Sequence, residues 1–177
     1  MDFPVNLRLF GRPCLVVGGG TVARRKARAL ARAGARVTVV APEVRFRGCH
    51  VLLRRFRASD VDGTFAVIAA TGDAGVNRRV HAACLRRGVP VNVVDVPELC
   101  TFTVPATLRR GDLTIAVSTN GRSPALSREI RLELERLYPR AFAAIVRRLG
   151  TVRAAVPAGA GRQRLMKRLA KRAIAAR

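Results

Sequence analysis

The chain has 177 residues and a formal net charge of +23, from 34 Lys and Arg against 11 Asp and Glu, yet nearly half of its residues are apolar. That balance excludes a disordered basic tail, and the longest apolar runs, such as Phe65–Ala70, are far too short to span a bilayer. No basic stretch followed by an apolar one opens the chain, so a soluble, cytoplasmic protein without a signal peptide is expected, its charge calling for an anionic counterpart.

From Pro13 to Pro97, short β-branched runs alternate with helical stretches. Cys14–Val17 reads as a buried strand. Thr21 to Ala33 reads as a helix, with Val22, Ala23, Ala27 and Leu30 at helical spacing and Gly34 as its stop. Arg36–Val40 is a second strand and Phe65–Ala70 a third, continuous and apolar as buried parallel strands are. A helix over Ala74 to Arg87 follows, ended by Gly88, and Val89–Val94 is another buried strand. This alternation predicts a Rossmann-type α/β fold with a parallel sheet.

The pattern then changes. Phe102, Val104, Ala106 and Leu108 alternate with polar residues, as do Leu113, Ile115 and Val117 around Arg110-Gly111-Asp112, which predicts an antiparallel pair. Ser123-Pro124 opens a helix striped by Leu126, Ile130, Leu134 and Leu137. From Pro139 the chain is helical and basic, with a loop at Val156–Gly161 and a helix from Arg162 to Arg177. The expected organisation is a dinucleotide-binding domain over 1–100, a small α+β segment over 101–138 and a basic helical part over 139–177.

Gly18, Gly20 and Ala23 fit G-x-G-x-x-A, after a strand and before a helix. Gly18 permits the tight turn, Gly20 lets backbone approach a pyrophosphate, and Ala23 lets helix and sheet pack closely. The helix N-terminus then offers free N–H groups and a positive dipole end. The acidic residue that usually ends the second strand is missing. Glu43 comes a few residues later, so this fingerprint leaves NAD and NADP both open.

Asp95 follows the strand Asn92-Val93-Val94 at the sheet edge where ligands bind in open α/β folds. It reads either as a general base beside a cofactor or as a turn residue before Pro97. Ser118, Thr119, Asn120 and Ser123 lie between a strand and a helix N-terminus, as an anion pocket for substrate or simply as a capped loop. Cys14, Cys49, Cys84 and Cys100 form no C-x-x-C pair, and the pairs Cys49-His50 and His81-x-x-Cys84 fit no metal-ligand spacing, so no metal site is expected. With one Tyr, seven Phe and no helix-turn-helix or RNP-like motif, nucleic acid is not the expected partner, nor is a membrane.

Together these residues resemble the precorrin-2 dehydrogenase family, which supplies the dehydrogenase part of sirohaem synthases. The matching pieces are Gly18–Lys26, Ala33–Pro42, Asp62-Gly63, Val67–Thr71, Asn92–Asp95, Leu99-Cys100, Phe102, Pro105-Ala106, Arg110-Gly111, Leu113–Thr119 and Gly121–Pro124. They stand in family order over about residues 3–140. The resemblance implies NAD-dependent oxidation of precorrin-2, a reduced tetrapyrrole ringed by carboxylates, to sirohydrochlorin. Some members also insert ferrous iron to give sirohaem.

The resemblance further implies Asp95 as the catalytic group and Gly18, Gly19, Gly20, Thr21, Val22, Pro42 and Glu43 as the cofactor contacts. Thr119 falls where some relatives carry a phosphorylatable Ser. A homodimer built through the segment after residue 100 is also implied. Between Glu43 and Arg54 the chain is shorter than the family pattern, and its helical C-terminal part is short as well. The alternative reading is an NAD-sensing module without redox chemistry. Asp95 and the Ser118–Pro124 loop favour the enzyme, because a sensor needs neither.

Overall fold

A computed structural model of the chain describes residues 2–175. It divides into two compact units, Met1–Val104 and Pro105–Arg177. The first is built on five parallel strands: β1 (Pro13–Val17), β2 (Arg36–Ala41), β3 (His50–Leu53), β4 (Ala66–Ala69) and β5 (Val91–Val93). Their order across the sheet is β3-β2-β1-β4-β5, the order of a doubly wound dinucleotide-binding half. Helix α1 (Thr21–Arg32) connects β1 to β2, and α2 (Ala74–Arg86) connects β4 to β5.

Side-chain alternation sorts each strand between two cores. Val16, Val37, Val39 and Ile68 face α1 and meet Ala23 and Ala27. Leu15, Val17, Val40, Val67, Ala69, Val91 and Val93 face the other way, onto Val80, Ala83 and Cys84 of α2. Small alanines let α1 approach the sheet closely, while valines give the parallel ladder its β-branched surface. Leu15 is 1% exposed at the centre of the second core. Leu15→Ala is therefore expected to destabilise the protein by about 2–5 kcal/mol, read as a fall in urea midpoint without a change in slope.

One strand was not foreseen, and three expectations are corrected. Edge strand β3 escaped the sequence pattern: it is four residues long, none of them buried, and is bounded by Gly48-Cys49 and Arg54-Arg55. The segment after β3 is held by the Arg54–Asp60 ion pair, with Nη2 donating to Oδ1 at 2.6 Å. Strand β5 begins only at Val91, because Pro90 has no N–H for the ladder. Phe102 and Val104 are not in a strand; Thr101 and Phe102 instead run beside β5, with Asn92 Nδ2 donating to the Phe102 carbonyl at 3.0 Å and Val91 N–H to Thr101 Oγ1 at 2.8 Å. The last helix begins two residues before Arg162, and residues 176–177 of that expectation lie outside the described residues.

The second unit opens with an antiparallel hairpin of β6 (Ala106–Arg110) and β7 (Leu113–Val117), joined at Gly111-Asp112. Helix α3 (Pro124–Leu137) packs on both strands, and α4 (Phe142–Ala155) and α5 (Ala160–Ala175) come after it. Ser123 caps α3 by accepting from Leu126 N–H at 3.2 Å, and Pro124 fills the first helical position. Leu108 and Phe142 are buried, the latter under Tyr138 in an edge-to-face contact at 5.1 Å. Among the described residues no helix is long and apolar enough to cross a membrane.

Candidate functional site

The carboxyl ends of β1, β2 and β4 open onto a cleft of about 940 Å³. Six of the seven expected cofactor residues line it: Gly18, Gly19, Gly20, Thr21, Pro42 and Glu43. Val22 lies outside, in a neighbouring groove of about 430 Å³ walled by Arg24, Arg25, Arg28 and Arg32 on the outer face of α1.

The three glycines do different work. Gly18 has φ +129°, donates its N–H to the Val40 carbonyl at 2.9 Å, and would bring an added Cβ to 2.3 Å from the Ala70 carbonyl oxygen. It closes the β1 end against β2 and β4 at once. A Cβ at Gly19 would lie 1.8 Å from the Glu43 carbonyl oxygen, so the glycine turn and the loop after β2 touch through backbone. A Cβ at Gly20 meets nothing within 4 Å. The open side of the turn is thus the cleft itself, where a diphosphate can reach the backbone.

Gly20 is also the N-cap of α1, with no side chain to occupy the first-turn amides and no acidic residue in that turn. The positive end of the helix is left for an anion. A dinucleotide fits this donor set: Gly20 and the amides beyond it would hold its diphosphate.

Charge around the cleft is mostly positive, from Arg24, Arg45, Arg55 and Arg79. Its two carboxylates are both engaged. Glu43 accepts from Arg45 Nε at 2.9 Å and Nη2 at 3.4 Å, and this hydrogen bonding and charge hold its carboxyl below the usual range. Glu43 stands two residues beyond β2 yet still reaches the rim. Asp73 caps α2 by accepting from Val76 N–H at 3.0 Å, which lowers its pKa in the same way. Behind it Thr71 Oγ1 donates to Asn77 Oδ1 at 2.9 Å, and Asn77 Nδ2 donates back to the Thr71 carbonyl at 3.2 Å. That exchange sets the β4–α2 loop that forms one wall.

Asp95 sits just past β5, the strand beside β4, and is exposed. Its φ of +61° places it in the left-handed region, which Asp tolerates better than most side chains. The turn is held from behind by Cys100. Its Sγ accepts from Val93 N–H at 3.2 Å and lies 3.2 Å from the Val93 carbonyl and 3.4 Å from the Val96 carbonyl. Burial pushes the Cys100 thiol up, so it stays a neutral anchor. Among the described residues the Asp95 carboxylate makes no hydrogen bond or ion pair.

Ser118, Thr119, Asn120 and Ser123 share one loop of the second unit. Their hydroxyls turn largely onto that loop: Ser118 Oγ accepts from Asn120 N–H at 3.1 Å, and Thr119 Oγ1 accepts from Ser123 N–H at 3.0 Å. Asn120 has φ +51°. Buried Ser127, which the sequence pattern did not single out, adds a contact from its Oγ to Thr119 Oγ1 at 3.2 Å. The i+4 spacing from Ser123 was the available signal. The cleft arginines were missed too, lost in a chain where basic residues are everywhere.

Comparison with known proteins places these features in context. A family model described as "Putative NAD(P)-binding" matches residues 5–106, and a second, "Sirohaem biosynthesis protein central", matches residues 110–137. The "Siroheme synthase" of Pseudomonas entomophila is 49% identical over 151 residues, covering 80% of this chain and 33% of that protein. The one from Psychrobacter sp. is 40% identical over 160 residues, covering 85% and 33%. This chain spans about a third of the length of the curated relatives it matches. A solved structure titled "SirC, precorrin-2 dehydrogenase" superposes with a TM-score of 0.80 at 27% identity, covering 95% of this chain and 89% of that one.

Proposed function

The chain belongs to the family described as putative NAD(P)-binding, and from that premise, together with its likeness to sirohaem synthases and to a precorrin-2 dehydrogenase, we propose that it oxidises precorrin-2 to sirohydrochlorin with NAD, as a cytoplasmic homodimer. One observation carries the reading. An unengaged carboxylate, Asp95, stands at the same sheet edge as the anion-ready turn of Gly20.

The net reaction removes a hydride from one ring carbon and a proton from its neighbour, leaving a new double bond. The nicotinamide, when bound, supplies the hydride acceptor. Gly18, Gly19 and Gly20 would hold the diphosphate through the backbone of their turn, and the first-turn amides at Thr21 and Val22 would offset its charge. Pro42 and Glu43 border the ribose side. The Glu43 carboxylate is already paired with Arg45, so the preference for NAD rests on the family likeness and is read directly by comparing NAD with NADP in the assay. Asp95 takes the proton, its exposed carboxylate free to approach within about 3 Å of the carbon acid.

We assign Ser118, Thr119, Asn120 and Ser123 to a substrate carboxylate, and Asp95 also to the pyrrole N–H protons released when ferrous iron, as a second substrate, enters the ring. Exposed Leu126 and Leu137 on α3 support self-association of the second unit.

The test is NADH formation with precorrin-2, followed by absorbance, with and without ferrous iron. The expected result is NADH produced in step with sirohydrochlorin, with the KM for precorrin-2 rising several-fold between low and physiological salt as the arginine field is screened. Tight NAD binding with no NADH formed would establish a sensor instead.

A further inference from the structure

Arginine supplies nearly every positive charge in this chain; Lys26, Lys167 and Lys171 are the three lysines among 34 basic residues. Lys167 and Lys171 are exposed on α5. Lys26 is half-buried on α1, flanked by the exposed Arg24, Arg25 and Arg28. It belongs to the stripe Ala23, Lys26, Ala27, Leu30, which faces the sheet at helical spacing. The other members of that stripe share a core with Val94 and Phe102, the residues on either side of the Asp95 turn and its Cys100 anchor. Lys26 is thereby carried to the edge of the sheet where Asp95 stands.

Its ammonium is within electrostatic reach of Asp95 and of the Cys100 sulfur, but it forms no ion pair among the described residues. Burial, and then the charge of Arg25, hold Lys26 below the ordinary lysine pKa; the Asp95 carboxylate acts in the opposite direction and compensates only in part. A cation in that condition has already lost water and lacks a close counter-ion. A carboxylate brought next to it gains more than one placed against an exposed arginine, because less solvent and salt intervene.

We propose that Lys26 contacts the substrate, its ammonium pairing with one carboxylate of the tetrapyrrole and fixing that edge of the ring against Asp95. This assignment rests on the dehydrogenase reading above. A lysine that merely covered Val94 with its stem would be indifferent to any ligand.

With three lysines, protein labelled with ¹³C-lysine gives a readable titration, Lys26 being assigned by its loss in Lys26→Met. In the free protein Lys26 is expected to titrate below the ordinary lysine range, and lower still in Asp95→Asn. Uroporphyrin, an unreactive polycarboxylate tetrapyrrole, is expected to move the Lys26 midpoint upward by about one pH unit, which corresponds to about a tenfold linkage in affinity. Lys26→Met should weaken uroporphyrin binding about tenfold and Lys26→Arg by less than about threefold, with NAD affinity unchanged in both, since Lys26 does not line the cofactor cleft. Uroporphyrin that binds wild-type protein while leaving the Lys26 titration and the Lys26→Met affinity unmoved overturns the Lys26 contact and spares the dehydrogenase. Wild-type protein that oxidises precorrin-2 yet binds no uroporphyrin likewise overturns only the Lys26 contact, whereas failure to oxidise precorrin-2 removes both.

Discussion

Asp95→Asn is expected to bind NAD as wild type does and to lose about 10²–10⁴-fold in NADH formation with precorrin-2, the usual contribution of a positioned general base, or about 2.7–5.4 kcal/mol of barrier. The carboxamide matches the carboxylate in shape, and Asn accepts a left-handed φ as readily as Asp, so the turn at φ +61° survives. No hydrogen bond within the protein is lost, because the Asp95 carboxylate has none among the described residues. The anchors of the turn, Cys100 Sγ and the Asn92 amide, are untouched. What disappears is the capacity to receive a proton. Calorimetry for NAD affinity and initial rates for kcat and KM check the two halves separately. Turnover within tenfold of wild type would remove Asp95 from the role of base.

Gly20→Val and Gly19→Ala are expected to fail in opposite ways. The added atoms at Gly20 enter open space, so the thermal midpoint should stay within a few degrees of wild type while NAD affinity falls by at least about 100-fold, the backbone no longer reaching the diphosphate. At Gly19 the first added carbon would lie 1.8 Å from the Glu43 carbonyl oxygen, so one of the two loops must shift. Overpacking of this kind costs about 1–3 kcal/mol or more, visible as a lowered midpoint with or without cofactor. Equal behaviour of the two variants, in stability and in binding, would contradict the separation of roles along this turn.

The parallel sheet was legible in the sequence because its inner strands are continuous β-branched runs and its helices carry clear stripes ended by Gly34 and Gly88. Strand β3 was not, since its apolar run, Val51-Leu52-Leu53, is only three residues long, without alternation and with no buried side chain. Phe102 and Val104 alternate as a strand would, yet Thr101 and Asn92 draw that segment along β5 through side-chain hydrogen bonds, a long-range competition that local pattern cannot express. Within the site, glycine spacing located the turn. That Gly19 meets Glu43 while Gly20 meets nothing depends on where the β2 loop returns. Glu43 looked too far from the strand end, and it reaches the rim because that loop folds back over Gly19. Lys26 is one basic residue among many in the primary structure; only the packing of Ala23 and Ala27 against Val94 sets it apart.

The left-handed turn at Asp95 has a consequence for natural variation. A single transition in an aspartate codon that changes the residue yields asparagine or glycine, and both accept this backbone as comfortably as the resident side chain does. The commonest genetic routes away from the proton acceptor therefore lead to polypeptides that fold, accumulate and assemble normally. Surveys that score abundance or thermal resistance would pass such alleles as healthy, and only a measurement of flux would find them.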